Sequence, residues 1–547
     1  MIPQPQQSVP KVKPFEIEVR TRRNILIRAD VYLPPEGGGR YPVLFAASPY
    51  QKELRALPAH WHFPFVETGP IDFYLDRGYA YVWADVAGSG RSEGEWDPCS
   101  RTEGEDLYDV IEWLAIQKWC TGKIGMIGQS YLCWSQWNAA RTRPPHLTTI
   151  AAYDGAVDPY RDWMYQGGMP AFMFPLIWLV GSISLQHLAA GHDIYGGNRY
   201  RFLYDVYSHP FDDEWFRKRA SFWELDQVDI PVFSIGVWGK RELHLRGNIL
   251  GYERVRGPKQ LLVTHPDSWA RAQALFADPE FHERELLPWY EHHLKGVDNG
   301  VMERPPVRYY VEGGGKYRSA KTWPPEDAEP TAFYLTGARS GAVKSLNDGS
   351  LAEDEPSARE DQTSWSYPDP LWVDGTTAYD ENGVPDAVGR MVTYTTPPFE
   401  RDREFSGEGV LEMYASTDQT DLDLTVRLNV IGAGPGMMRR RKVSCGWLRA
   451  SHRAEDPKLT KPLRPFHSHQ KAEPIEPGRP YPLRLELRPM SFLVRKGERL
   501  MLIISNDDSM ILDGVTTHWY GQKVGTDTYH HDSAHPSRLV LHERPPA

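Results

Sequence analysis

Two kinds of hydrophobic spacing divide the chain. Residues 15–20 and 25–33 alternate apolar and polar positions around Arg22, Arg23 and Asn24, which predicts a two-faced antiparallel hairpin. From residue 41 the alternation stops, and 41–47, 79–85, 123–127, 148–153, 231–236 and 260–264 are short, mainly apolar runs without alternation. Strands buried on both faces read this way. Helical spacing falls between them, most clearly at 105–115, so strand and helix alternate and a parallel sheet wrapped by helices is expected. Residues 155–228 break the rhythm with an aromatic-rich stretch that lacks strand signals and is too long for an ordinary connection. A helical cap fits it.

After a helical pattern at 283–295, alternation returns at 307–311, 410–415, 423–430, 483–487 and 499–504, separated by Gly, Pro and Asp turns. Many such strands predict a β-sandwich. The polar stretch 343–390 reads as loop over that sandwich. The expected domains are 1–154 with 229–300, a cap at 155–228, and a β domain at 301–547.

Length and composition narrow the function. A chain of 547 residues exceeds the size of one core. Its net charge of −11 and the lack of any Lys/Arg-rich block argue against nucleic acid as a partner. Four scattered cysteines, Cys99, Cys120, Cys133 and Cys445, have neither zinc-site spacing nor disulfide density, which suits reduced thiols in a cytoplasm. The start of the chain lacks the basic and apolar segments of a signal peptide. The most apolar window, 169–185, is broken by Pro170, Pro175 and Gly181 and is short for a membrane span, so it reads as buried or pocket-lining helix. No membrane role follows, and self-association into a homo-oligomer is compatible with the sequence.

Candidate chemistry centres on Gly128-Gln-Ser-Tyr, between an apolar run and a helical pattern. A serine on a sharp strand-to-helix turn exposes its hydroxyl to a base and to oxyanion donors. The full five-residue motif would place a small residue at Leu132, so a plainer account, Ser130 as cap of the following helix, competes. Trp163, Tyr165 and Phe172, with Phe174 and Trp178, are candidates for an apolar acyl pocket or equally for cap packing. Tyr529-His-His-Asp532 with His535 has metal-like composition, yet loop histidines account for it, and no metal or other cofactor is expected. Glycines 88, 90 and 94 lack the Gly-Lys-Ser/Thr ending of a phosphate loop.

The neighbourhood of Ser130 resembles the peptidase S15 group, which contains cocaine esterase, α-amino-acid ester hydrolases and X-Pro dipeptidyl-peptidases. The resemblance rests on Ser48-Pro-Tyr-Gln-Lys52, Asp85-Val-Ala-Gly-Ser-Gly-Arg-Ser-Glu-Gly94, Trp119-Cys-Thr-Gly-Lys and Gly125-Met-Ile-Gly-Gln-Ser-Tyr-Leu. It continues in Tyr153-Asp-Gly-Ala-Val-Asp158, His293-Leu-Lys-Gly-Val-Asp-Asn-Gly, Leu448-Arg-Ala-Ser-His-Arg453 and Pro536-Ser-Arg-Leu-Val-Leu541, nearly the whole chain. It implies an α/β-hydrolase with a helical cap insertion plus a C-terminal all-β jelly-roll-like sandwich.

Carried over by position, the resemblance makes Ser130 the nucleophile and assigns the Tyr131 N–H and the Tyr50 phenol to the oxyanion hole. The order nucleophile, acid, histidine places the base after the last core strand, at His265. Relatives lead into that histidine with Gly-Pro-aromatic, whereas Thr264 precedes His265 directly. Their acid follows the penultimate strand, where this chain has Gly239, and Glu242 is the nearest substitute, unless it is a solvent-facing residue paired with Arg241 or Arg246.

The expected activity is therefore a serine esterase acting through an acyl-enzyme on a small-molecule ester or amide. X-Pro dipeptidyl-peptidase or α-amino-acid ester hydrolysis is the enzymatic alternative, with Asp154 and Asp158 as candidates to hold a substrate ammonium. A catalytically impaired pseudo-hydrolase that only binds is the alternative of another class, motivated by Gly239.

Overall fold

The computed structural model describes residues 10–53, 67–184, 199–345, 347–367, 388, 391–432, 440–508, 513, 517–518 and 524–545. The first residues of the chain, the end of the apolar window and most of the polar stretch beyond 367 lie outside them.

The chain divides into two compact units. One takes 1–162, 175–209 and 213–308, and the other takes 163–174, 210–212 and 309–547. The expected bounds at 154, 228 and 300 thus differ from these two units, the second of which takes two short pieces of the insertion. Close backbone packing accounts for the longer piece: a Cβ at Gly167 would stand 2.3 Å from the Trp447 carbonyl, and one at Gly168 would stand 2.4 Å from the His452 ring.

In the first unit, β1 (Phe15–Arg20) and β2 (Leu26–Tyr32) form the hairpin. β3 (Tyr41–Ser48), β4 (Ala80–Asp85), β5 (Cys120–Gln129), β6 (Leu147–Tyr153), β7 (Val232–Val237) and β8 (Lys259–Thr264) follow in the order β1-β2-β4-β3-β5-β6-β7-β8. β2 meets β4 antiparallel, and from β4 onward the pairs are parallel. All residues of β4 and β7 are buried, which explains why their sequences show no alternation. Helices α1 (Ile71–Leu75), α2 (Arg101–Ala115) and α3 (Tyr131–Thr142) lie between the strands. α2 starts at Ser100, whose side chain accepts the Glu103 N–H, and crosses α3 so closely that Gly104 could carry no Cβ: it would stand 2.3 Å from the Asn138 carbonyl oxygen. The described residues between β6 and β7 are helical turns and helices, among them Ile177–Ser184 and Arg199–Ser208.

The second unit is built on long antiparallel strands, Arg403–Thr417, Asp423–Ile431, Arg440–Arg449, Tyr481–Val494 and Arg499–Ser505 among them, around a core that includes Phe333, Phe405, Leu424, Leu485, Phe492 and Leu502. The polar stretch expected as loop contains two strands, Asn347–Ala352 and Gln362–Tyr367. Their partners impose the extended form: the first lies between Glu329–Thr336 and Val392–Thr395, and the second pairs with Gly525–His530. Among the described residues no helix is long and apolar enough to cross a membrane.

Candidate active site

β5 lies between β3 and β6 in the interior of the sheet, and the chain leaves its C-terminal end through Ser130 directly into α3. Ser130 has φ +59° and ψ −114°, a conformation that costs a non-glycine residue on the order of 1–3 kcal/mol and persists only where surroundings enforce it. The enforcement is visible. The Ser130 N–H donates to the carbonyls of Tyr153 (3.2 Å) and Asp154 (3.1 Å), and its own carbonyl accepts from the N–H groups of Cys133 and Trp134. Gly128, at φ +135°, leaves the room that Leu132 fills: a Cβ there would stand 2.3 Å from the Leu132 Cβ. The missing small residue at 132 is thus accommodated from the other side of the turn.

Although Ser130 occupies the capping position of α3, its side chain caps nothing. The Tyr50 phenol lies near enough to the Ser130 side chain for that side chain to lower its pKa slightly, and it accepts the Trp178 indole N–H at 3.1 Å. Burial pushes the Tyr50 phenol well above its ordinary range, with the Glu67 carboxyl adding to the rise, so it remains a donor. The Tyr131 ring stacks on Trp178 with centroids 6.1 Å apart, and its hydroxyl donates to Glu103.

The Tyr131 N–H lies on the side of the Glu67 carboxyl, whose pKa it lowers slightly. A buried carboxyl therefore lies near one of the donors expected to receive an oxyanion. Glu67 is buried, and desolvation raises its pKa to about 8, against a smaller lowering from Lys240 and a further rise from Asp154. Asp154 behaves oppositely. It follows β6 directly at φ +58°, wholly buried, and its pKa falls to about 2 because Lys240 and His244 outweigh desolvation. Its Oδ2 accepts from Lys240 Nζ at 2.7 Å and from Gln129 Nε2 at 3.1 Å, and its Oδ1 stands 3.3 Å from His244 Nδ1. His244 is buried, and desolvation lowers its pKa, so the imidazole is neutral at pH 7. It stands edge-on to Trp134, in the first turn of α3, with centroids 6.0 Å apart.

The other expected residues take varied places. His265 follows β8 and is exposed. Gly239 has no room for an aspartate: its N–H bonds the Pro266 carbonyl at 2.7 Å, and a Cβ would stand 2.4 Å from the Ser268 nitrogen. Glu242 is half-buried in the turns before the helix Leu245–Arg254, and Arg246 is paired with Asp162 at 2.9 Å. Asp158 is paired with Arg161 at 2.8 Å. Trp163, Tyr165 and Phe172 belong to the second unit, where Trp163 meets Phe174 edge-on, whereas Trp178 of the same aromatic stretch stands beside Tyr50 and Tyr131. Of the C-terminal histidines, His531 contacts Asp361 and His535 contacts Asp532, and no group of three or more His, Cys, Asp or Glu arranged for a metal occurs among the described residues.

Sequence reasoning did not single out Glu67, Lys240 or His244. Lys240 and His244 do carry a signal, since both follow the C-terminal end of β7, where α/β folds gather functional groups. Glu67 carries none.

Comparison with known proteins agrees with this architecture. The profile of the X-Pro dipeptidyl-peptidase (S15) family matches residues 24–268, and that of the X-Pro dipeptidyl-peptidase C-terminal non-catalytic domain matches 299–540. Cocaine esterase of Rhodococcus sp. (strain MB1 Bresler) is 25% identical over 588 residues, spanning 96% of this chain and 97% of that one. A CocE/NonD family hydrolase from Staphylococcus aureus superposes with a TM-score of 0.79 at 24% identity, covering 96% of this chain and 93% of its own. An α-amino-acid ester hydrolase shares the fold with a TM-score of 0.71 at 16% identity, covering 98% of this chain and 97% of its own. With a strained serine at the end of β5, and with both family profiles matching in succession, the chain belongs to the S15 family of serine hydrolases.

Proposed function

We propose that this protein cleaves carboxylic esters through an acyl-enzyme formed on Ser130. The observation that carries the reading is the Ser130 backbone at φ +59° and ψ −114°, held on a strand-to-helix turn with a hydroxyl that does not cap the helix and the Tyr50 phenol nearby. Ser130 Oγ attacks the ester carbonyl, and the Tyr50 hydroxyl and Tyr131 N–H receive the developing oxyanion. An imidazole takes the Ser130 proton and passes it to the departing alkoxide, and water then releases the acid. Two imidazoles are candidates for that step, His265 by chain order and His244 by its contact with Asp154. The helical insertion between β6 and β7 acts as the cap, since its Trp178 reaches Tyr50, and the second unit's sheet is read as a jelly-roll-like sandwich.

Esters are favoured over X-Pro peptides because the carboxylates suited to hold a substrate ammonium already have cations: Asp154 has Lys240, and Asp158 has Arg161. The acid role falls to Asp154, whose Oδ1 stands 3.3 Å from an imidazole nitrogen. Four buried thiols without a disulfide suit a cytoplasmic enzyme. Hydrolysis of p-nitrophenyl acyl esters, compared with aminoacyl and Xaa-Pro p-nitroanilides, tests the substrate class. Turnover confined to the aminoacyl and Xaa-Pro substrates would reverse the preference.

A further inference from the structure

We propose that His244, positioned by Asp154, is the base that takes the Ser130 proton, so that this chain runs its hydrolysis on an acid moved from the end of β7 to the end of β6. The inference rests on the reading of Ser130 as nucleophile and adds its partners.

The place where relatives carry the acid is closed. Gly239 packs against the backbone of 266–268, with its own N–H on the Pro266 carbonyl, so no side chain fits there. A carboxylate stands instead one strand nearer the nucleophile. Asp154 is joined to Ser130 through its main chain, whose oxygen accepts the Ser130 N–H at 3.1 Å, and through the Gln129 amide, which donates to its Oδ2 at 3.1 Å. The same carboxylate faces the Nδ1 of His244 at 3.3 Å, a separation that permits tightening to a catalytic hydrogen bond once substrate is bound. His244 is 1% exposed, and its Nε2 has no hydrogen-bond partner among the described residues. A wholly buried ring nitrogen without a partner is rare, and one next to a nucleophile's own loop has an evident use. Trp134, whose N–H bonds the Ser130 carbonyl, supports the ring from one side, and Trp269 stands on another with centroids 6.3 Å apart.

The charges around the imidazole are Asp154, Lys240 and, beyond them, Glu67. Lys240 holds Asp154 ionised through Oδ2 and leaves Oδ1 for the histidine. Neither ring nitrogen has a hydrogen-bond partner among the described residues, and in the reactive arrangement Nδ1–H closes on Asp154 Oδ1 while Nε2 offers its lone pair. As the Oγ–carbon bond forms, the Oγ proton moves to Nε2 and the carbonyl electrons move to the oxyanion. The imidazolium, stabilised by Asp154, then protonates the leaving oxygen as the carbon–oxygen bond breaks. In deacylation Nε2 takes a proton from water and returns it to Ser130 Oγ. Asp154 acts throughout as a positioning residue.

The test compares His244→Gln and His265→Gln in the full chain, reading ester turnover and the rate of fluorophosphonate labelling. The expected loss for His244→Gln is about 10³-fold or more, and it exceeds the loss for His265→Gln by at least about 100-fold. A larger loss for His265→Gln, or equal effects of the two, overturns the proposal while leaving Ser130 as nucleophile. A wild type that takes no label removes the reading beneath it. Should His244→Gln fail to fold, proton NMR of the phosphonylated enzyme decides: the downfield Nδ1–H resonance of a histidine bonded to carboxylate persists in His265→Gln if His244 is the base, and disappears there if it is not.

Discussion

Tyr50 and Glu67 are both buried and the Glu67 carboxyl acts on the Tyr50 phenol, and their opposed chemistry makes predictions at the scale of single side chains. Tyr50 keeps its proton because burial penalises the phenolate, so Tyr50→Phe removes a donor without moving a charge. kcat is expected to fall by about 10²–10³, with KM little changed, as for loss of one oxyanion donor. A KM increase with unchanged kcat would instead mark Tyr50 as a ground-state binding residue. Glu67 lies near the Tyr131 N–H, which it can engage as an anion. Its pKa is raised from 4.5 to about 8, so the neutral acid that yields the N–H readily prevails below that pH and the anion above it. kcat/KM should decline as pH rises through about 8, and Glu67→Gln should flatten that limb. An unchanged limb in the variant would show that another group governs it.

At the scale of elements, the strands of the first unit were legible because burial on both faces removes alternation, and 41–47 or 231–236 could be little else. The two strands within 347–367 were not, because their extended form comes from partners distant in sequence. Gly349 is seated against the Tyr394 ring, and Ser364 and Ser366 bond Thr528 and Thr526 across an exposed face at 2.8 Å, contacts that polar composition cannot announce. In the site, Ser130 and Tyr50 were legible through local motif and resemblance. Glu67 was not, since a lone glutamate becomes distinctive only when folding buries it beside the elbow. The loop after β7 shows the same limit, for Gly239 reads as a lost acid until its packing against 266–268 is seen. Gly239→Asp should therefore not rebuild a triad. The new Cβ meets the Ser268 nitrogen at 2.4 Å, and a destabilisation of about 1–3 kcal/mol is expected, read as a lower Tm without gain in turnover. A variant with unchanged Tm and higher kcat would contradict this account of the loop.

Across the whole molecule, buried carboxyls couple stability to pH. Glu67, Asp85 and Glu103 all have pKa values raised to about 8, each chiefly by desolvation. A group whose folded pKa is raised takes up a proton on folding, so its contribution is complete below about 4 and is lost as pH rises toward 8. Each such group removes up to about 1.4 kcal/mol per pH unit across that window. Asp154, lowered to about 2, acts with the other sign: its contribution is present above about 4 and is lost as pH falls through 2. Thermal unfolding followed from pH 5 to 9 should show Tm falling on the alkaline side, with a smaller slope in Glu103→Gln. A Tm that rises across that range would contradict the assignment of neutral buried acids.

The claim on which everything else stands is that the hydroxyl at the end of β5 becomes acylated. Intact-mass and peptide mapping after incubation with a fluorophosphonate measures it directly. The wild type should gain one phosphonyl group on Ser130, and Ser130→Ala, folded by circular dichroism, should gain none; a folded wild type that stays unmodified, or a label retained in Ser130→Ala, would contradict the account.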